Sequence, residues 1–479
     1  MQITSLKKNI MLSTAYEVIS IILPFFTAPY VARVLGAYGV GTYSYTNSIQ
    51  SYFSMFAALG IMSYGKREIS RNRDSIVDRS KLFIELQVLL FCTTSIILVL
   101  WFIWINITDS FQLYYLILTC SILNVFFDIS WYYAGIEKFN YIVYRNLIIK
   151  LFLFVLLFIV VRSKEDLYKY ILLMVVSSLG GSLSMWLYLK KTIIWVKPNF
   201  CRIKSHLKET IVYFIPAVAA SIYTILNKIL IGSITGLIVE NGYYEQATNM
   251  INMAKSVTFV SLNSVLGSRI AYLFGQNKIA EVKERINKSI DFILFMGVGL
   301  MFGMIGIAAH FVPLFLGDGY EKTIYLLQML SPIIIIIGIS NCLGTHYFTP
   351  AGYRSKSSKY LIYGSCVNLL ISLFLIPRFL SYGAVLSSLS AETFITILYV
   401  KNCGDFLSLK TLLRVVWKKI IAGFFMYLIM FALSNLGVNS FINVFLLFIG
   451  GVISYIVMLC LLRDSLPLFF IKDVIRKKK

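Results

Sequence analysis

Apolar runs long enough to cross a bilayer recur from one end of the chain to the other, parted by short polar segments. The first runs from about Ile10 to Val31, and the second follows a glycine-rich turn, Gly36–Gly41, and ends near Ile61. Others lie at about 82–105, 113–134, 146–162, 167–189, 210–234, 243–266, 289–311, 324–346, 359–377, 383–402, 418–436 and 442–462. An α-helix needs ~20 predominantly apolar residues to span ~30 Å of hydrocarbon. The pattern therefore predicts an all-α polytopic membrane protein with about fourteen transmembrane helices. The first run is longer than the apolar part of a signal peptide and has no small-residue cleavage site, so it is expected to stay in the mature protein. Pro24 and Pro29 are expected to bend it.

The polar segments alternate in charge. Those after even-numbered spans are basic: the loop Lys66–Lys81, then Lys138 and Arg145, the stretch Lys190–Lys208, the stretch Arg269–Lys288, Arg354 and Lys356, and Lys410–Lys419. The intervening ones carry only Arg33, Arg162, Lys164, Lys322 and Arg378. By the positive-inside rule the basic set is cytoplasmic, which places both termini there. The tail Arg463–Lys479 reads as an amphipathic, polybasic segment on the anionic lipids of the inner leaflet.

One span departs from the apolar pattern. Gly242–Gly267 (GYYEQATNMINMAKSVTFVSLNSVLG) is long enough to cross a membrane and too polar to face one. As a helix it gathers Glu245, Thr248, Asn249, Asn252, Lys255, Ser256 and Asn263 within an arc of roughly 120°. A lysine at the centre of a membrane helix costs ~2.5–3.5 kcal/mol on insertion scales, so Lys255 is expected to point into a bundle or a water-filled cavity and to mark a substrate or ion path. The alternative is a structural tie to an acidic side chain on a neighbouring helix.

Gly41–Met55 (GTYSYTNSIQSYFSM) resembles Gly242–Ser256 about 200 residues later. An even number of spans separates the copies, so the pattern predicts a parallel pseudo-repeat about an axis along the membrane normal. The expected layout is an N-lobe over 1–189, a cytoplasmic linker over 190–209, a C-lobe over 210–402, two further helices over 403–462 and the basic tail over 463–479. Each lobe holds six helices, and substrate is expected between them.

With 58% hydrophobic and only 14% charged residues, against about 25% charged in soluble domains, a globular soluble fold is excluded. The net charge of +22 does not indicate nucleic acid, because no segment is long or polar enough to form a soluble basic face. Seven scattered cysteines lack CxxC spacing and point to no metal or disulfide framework. His206, His310 and His346 are isolated, and there is no HExxH, GxSxG or P-loop and no large outward loop, so the reading is a non-enzyme without cofactor. The ionisable residues read inside spans are Glu17, Asp128, Lys150, Lys228, Glu245, Lys255, Asp291 and Glu392, each a functional candidate by default. Asp128 and Asp291 lie near the cytoplasmic boundary, where capping or pairing competes with a functional role. Arg33 reads equally as an interface anchor or as the outer rim of a cationic cavity, and a cavity with cations from both lobes suits an anionic ligand such as a diphosphate.

Pro29–Gly41 (PYVARVLGAYGVG), Gly60–Glu68 (GIMSYGKRE), Trp131–Tyr141 (WYYAGIEKFNY) and Asn368–Ala384 (NLLISLFLIPRFLSYGA) carry a resemblance to a known family. They resemble the corresponding helices of the Wzx-type (RfbX-like) polysaccharide flippases, the O-antigen and capsule repeat-unit translocases of the multidrug/oligosaccharidyl-lipid/polysaccharide (MOP) exporter superfamily. The similarity covers nearly the whole chain. Two positions depart from the family pattern: Asn227-Lys228 stands where Asp-Lys is frequent, and Gly267-Ser268-Arg269 where Pro-Arg is common. The resemblance implies a V-shaped, MATE-like two-lobe transporter in the bacterial cytoplasmic membrane. It would move an undecaprenyl-diphosphate-linked oligosaccharide to the outer leaflet by alternating access, as a monomer working beside polysaccharide polymerase machinery. On that reading Arg33, Lys228 and Lys255, with Asn249 and Asn252, hold the substrate, while Glu17, Glu245 or Glu392 exchanges H⁺ or Na⁺. A small-molecule exporter of the same superfamily and a membrane-embedded glycan polymerase or ligase remain as alternatives.

Overall fold

The computed structural model describes residues 3–190, 192–435, 440–464 and 466; for 3–22, 139–144, 223, 257–269, 271 and 409 it describes the backbone alone. Among the described residues the secondary structure is helical throughout, and the chain divides into two units, Met1–Gly232 and Ser233–Lys479.

The first unit begins with α1 (Ile3–Ala58), which carries both of the first two predicted spans. The glycine-rich turn expected over Gly36–Gly41 narrows to one residue: Gly36 adopts φ 68°, ψ 175°, and the helix resumes directly, with Gly39 and Gly41 inside it. A positive φ costs glycine little, so one residue suffices for the break. Next comes α2 (Ile61–Arg71), followed by α3 (Ile76–Ile107). The basic loop expected over Lys66–Lys81 is therefore mostly helix. Ile61, Tyr64, Gly65 and Ile69 recur at helical spacing and are buried, whereas Lys66, Arg67 and Arg71 lie on the other side. A search for membrane-length runs passes over so short an amphipathic helix.

Then follow α4 (Gln112–Phe127), α5 (Ser130–Gly135), α6 (Phe139–Val160), α7 (Leu167–Leu189) and α8 (Phe200–Ser221). The predicted linker 190–209 is thus helical over its second half, where Asn199 caps α8 by accepting from the Cys201 amide at 3.0 Å. A π-helical turn, Ile222–Leu226, connects α8 to α9 (Asn227–Thr235).

Among the described residues two cores hold this unit. One packs Val31, Leu35, Trp101, Tyr115, Leu118 and Ile171. The other packs Ile61, Tyr64, Phe83, Trp131, Tyr132 and Met185. In the second, a Cβ on Gly65 would stand 2.6 Å from the Trp131 ring, and one on Gly135 would stand 2.6 Å from Ile69. These close approaches join α2 to α5, so two of the sequence blocks that carry the family resemblance pack on each other.

The second unit contains α10 (Ile238–Gly275), α11 (Ile279–Leu316), α12 (Glu321–Leu330), α13 (Ile333–Leu343), α14 (Arg354–Phe379), α15 (Ser381–Asn402), α16 (Leu409–Ser434) and α17 (Ser440–Leu461). One core gathers Ile286, Ile293, Leu343, Phe348 and Tyr399. A second packs Val298, Met426, Met430, Tyr455 and Leu459 and fastens α16 and α17 to α11. There the Tyr455 hydroxyl donates to the Phe295 carbonyl at 2.8 Å, and Lys419, fully buried, donates to Asp291 at 2.6 Å and to Asp464 at 2.9 Å.

Among the described residues eight helices are long and apolar enough to cross a membrane. The number rises to ten if two bent pairs, α8 with α9 (47°) and α12 with α13 (41°), each make one span. The remaining predicted spans fall on α1, α6 and α10, each of which includes residues described by backbone alone. Beyond Leu466 the basic tail lies outside the described residues.

Candidate functional site

α10 is the helix whose polar face the sequence singles out, and the structure shows what part of that face meets. Tyr244, Thr248, Ile251 and Lys255 follow one another at helical spacing along one side. At its start, the Tyr244 hydroxyl lies 3.3 Å from the buried Ser388 hydroxyl of α15. One turn further along α15 stands Glu392, 5% exposed, and it lies within electrostatic reach of the half-buried Lys255. Two residues that the sequence assigned to separate tasks, one to the substrate and one to the ion, thus act on each other. Tyr399, two turns beyond Glu392, also lies in its field and hydrogen-bonds to Ser357 of α14 at 2.6 Å.

The hydroxyls of α10 are turned back on their own helix. Thr248 donates to the Tyr244 carbonyl at 2.7 Å and Ser256 to the Asn252 carbonyl at 2.8 Å. Such bonds let a polar residue sit in a membrane helix without a partner elsewhere. Glu245 and Asn249 are half-buried and Asn252 is exposed. Glu17, Asn263 and Arg269 fall where only the backbone is described, so their side chains lie outside the described residues.

The other two predicted cations belong to the first unit. Arg33 is exposed on α1, three residues before the Gly36 break. Lys228 is half-buried in the first turn of α9, between fully buried Asn227 and Ile229, which packs against the core of Val31 and Leu35. Asn227 stands where the Wzx-type resemblance implies an aspartate. A neutral amide is the less costly group in so buried a place.

Asp128 and Asp291 take the local roles that their boundary positions suggested. Asp128 accepts from the Ser130 amide at 2.9 Å, and Asp291 pairs with Lys419.

Three polar clusters escaped the sequence reading. Glu85, 1% exposed, accepts from the Asn199 amide at 3.0 Å, and its second oxygen lies 3.2 Å from His206 Nε2. His206 Nδ1 is in turn 2.7 Å from the Tyr64 hydroxyl. Burial, then the carboxylates of Glu68 and Glu209, push that hydroxyl up to about 12, so it is a neutral donor. With Tyr64 donating to Nδ1, the imidazole proton sits on Nε2 and faces the Glu85 carboxylate. The second cluster is at the start of α10, where Glu240 accepts from Lys322 at 2.6 Å and 2.7 Å and from the Ser381 hydroxyl at 2.6 Å. The third is Lys419 with its two aspartates. Glu85 and Lys419 fall in the first turn of predicted spans, where the rule that selected the central Lys255 does not single them out.

Taken together these features define a multi-pass, all-helical membrane protein with ionisable groups held inside its helical units. The chain matches the family described as polysaccharide biosynthesis protein over residues 6–267, more than half its length, and it belongs to that family. Among curated proteins it is similar to "Putative O-antigen transporter" of Escherichia coli (strain K12), 23% identical over 412 residues, covering 83% of this chain and 97% of that one. It is likewise similar to "Putative O-antigen transporter" of Shigella dysenteriae, 25% identical over 409 residues, covering 83% of this chain and 99% of that one. Among solved structures it shares the fold of "Lipid II flippase MurJ, inward closed conformation", with a TM-score of 0.77 and 16% identity over 97% of this chain and 100% of the other. The Wzx-type resemblance read from the motifs agrees with all of these.

Proposed function

We propose that this protein is a flippase that carries undecaprenyl-diphosphate-linked oligosaccharide repeat units across the bacterial cytoplasmic membrane for a surface polysaccharide such as O-antigen, capsule or exopolysaccharide. The observation that carries the reading is the match to a polysaccharide biosynthesis family and to named O-antigen transporters along most of the chain. The polar face of α10 supplies what such a cargo requires. The cargo is a diphosphate joining a sugar to a hydrocarbon tail, and Lys255 offers a cation within a helix of membrane length.

On this reading the chain crosses the membrane fourteen times in two six-helix lobes plus two helices. Both termini are cytoplasmic, and the protein works as a monomer by alternating access, with the polysaccharide polymerase machinery as its downstream partner. It transports without catalysis and without a cofactor. Arg33, Lys228 and Lys255 attract the diphosphate, while Asn249 and Asn252 offer amides to the sugars. Glu392 is the foremost candidate for exchange of H⁺ or Na⁺, with Glu245 and Glu17 behind it. A diphosphate arriving at Lys255 takes up the charge that otherwise faces Glu392. A carboxylate left so buried then needs a proton or a metal cation in compensation. This exchange would link cargo binding to the ion.

The test is reconstitution into liposomes with a fluorescent undecaprenyl-diphosphate oligosaccharide, following movement between leaflets. Wild type should translocate and Lys255→Glu should not. Failure of the wild type with every lipid-linked sugar tried, together with efflux of soluble compounds, would move the assignment to a small-molecule exporter of the same superfamily.

A further inference from the structure

α6 and α7 run antiparallel in the first unit and leave a cavity of about 770 Å³ between them. Ile149, Phe152 and Leu156 line it from α6, and Leu173, Val176 and Gly180 line it from α7. The lining is mostly apolar: Ser177 and Ser184 turn their hydroxyls back onto their own helix, donating to the Met174 and Gly181 carbonyls. The charge is at one end, where the half-buried Arg145 lies close to Gly181: a Cβ there would stand 3.9 Å from Arg145 Nε. Asn146 orients the guanidinium by accepting from its Nε at 3.1 Å and Nη2 at 2.6 Å. A second cation is near the same end of α7, since Lys138 donates to the Tyr188 hydroxyl at 3.3 Å. At Gly180 the cavity is open, with no atom within 4 Å of where a Cβ would be.

From Arg145 to Leu156 the groove follows eleven residues of helix, about 16 Å. Half of a ~30 Å hydrocarbon core is about 15 Å, the depth of one leaflet. A groove of that depth, greasy along its length and cationic at its end, has the dimensions of one lipid of one leaflet. The basic end belongs to the side that charge asymmetry assigns to the cytoplasm. We propose that this groove binds an anionic phospholipid of the inner leaflet, with an acyl chain between α6 and α7 and its phosphate at Arg145. Such a lipid is a resident ligand and not the transported cargo. A polyprenyl tail is far longer than one leaflet is deep and would leave most of its length outside. A zwitterionic lipid would fit the groove but gain less from the cationic end.

The experiment is native mass spectrometry of the delipidated, purified full chain after exposure to phosphatidylglycerol, phosphatidylethanolamine or undecaprenyl phosphate, one at a time. Wild type should retain phosphatidylglycerol over the other two. Arg145→Gln removes one phosphate partner and should weaken that retention about fivefold. Gly180→Trp should abolish it by filling the groove from a point where nothing has to move aside. If Gly180→Trp does not fold, Gly180→Leu and Arg145→Gln carry the test, with unchanged thermal unfolding of the lipid-free protein as the control. Equal retention by wild type and both groove variants overturns the proposal. So does equal retention of phosphatidylethanolamine, or preferential retention of undecaprenyl phosphate, which would assign the groove to a cargo tail. Lipid retention is read without transport, so the result stands apart from the flippase reading.

Discussion

Gly60 is the position where one methyl group should matter most in the first unit. It begins α2 with φ +76°, a left-handed conformation that costs an L-residue roughly 1–2 kcal/mol. A Cβ there would also stand 2.7 Å from the Thr210 carbonyl oxygen, 2.8 Å from the Phe214 nitrogen and 3.1 Å from the Tyr213 carbonyl carbon. All three are backbone atoms of α8, so no side chain can rotate away and the helix itself must shift. Overpacking of this kind costs about 1–3 kcal/mol. Together Gly60→Ala should lose about 2–5 kcal/mol, a large part of the roughly 5–15 kcal/mol that native proteins have in hand. At roughly 2 °C per kcal/mol for a chain beyond 200 residues, apparent melting in detergent should fall by about 4–10 °C. Gly180→Ala is the matched control, since that helical site is open and alanine there should be neutral or stabilising by up to about 1 kcal/mol. If Gly60→Ala melts within about 1 °C of wild type, the close approach of α2 to α8 is not as described and the reasoning fails. Because α8 leads through the π-helical turn to Lys228, the variant should also transport more slowly at temperatures where it is still folded.

In the second unit, Lys419→Met leaves the buried Asp464 and the half-buried Asp291 without their shared cation and should cost about 3–5 kcal/mol in thermal unfolding. Adding Asp291→Asn and Asp464→Asn should recover most of that loss; no recovery would mean that the lysine acts through packing alone. For Lys255 and Glu392 the informative variant is the exchange Lys255→Glu with Glu392→Lys. It should fold and yet fail to flip a lipid-linked oligosaccharide in liposomes, whereas restored transport would make the pair purely structural. Tyr64→Phe removes the donor to His206 Nδ1 and should lower stability by about 0.5–1.5 kcal/mol. A loss below that range in a melting series would place the Tyr64 hydroxyl outside the Glu85–His206 cluster.

Much of the architecture was legible without coordinates, because a bilayer acts on a chain one segment at a time. An apolar run of the right length has to be helical where no water satisfies its backbone, and basic segments stay on one side. These are sums over neighbouring residues, and the all-helical class, the positions of the long helices and the polar character of α10 followed from them. Family membership was legible too, in short blocks such as Gly60–Glu68 and Trp131–Tyr141. What a sum over neighbours misses is whatever is short or joins distant segments. The basic stretch after Ile61 became the helix α2 because three of its side chains and Gly65 bury against α3, α5 and α8, and no local rule for membrane length detects that. Glu85 and His206 lie 121 residues apart, and Lys419 meets a partner 128 residues away. Lys255 and Glu392 were each conspicuous as charges in apolar surroundings, and only the packing of α10 with α15 decided that they answer one another. The sequence by itself determined which segments leave water and where their charges fall, since transfer to lipid depends on composition. The tertiary structure decided which charges become partners, since that depends on helix faces meeting with atomic fit.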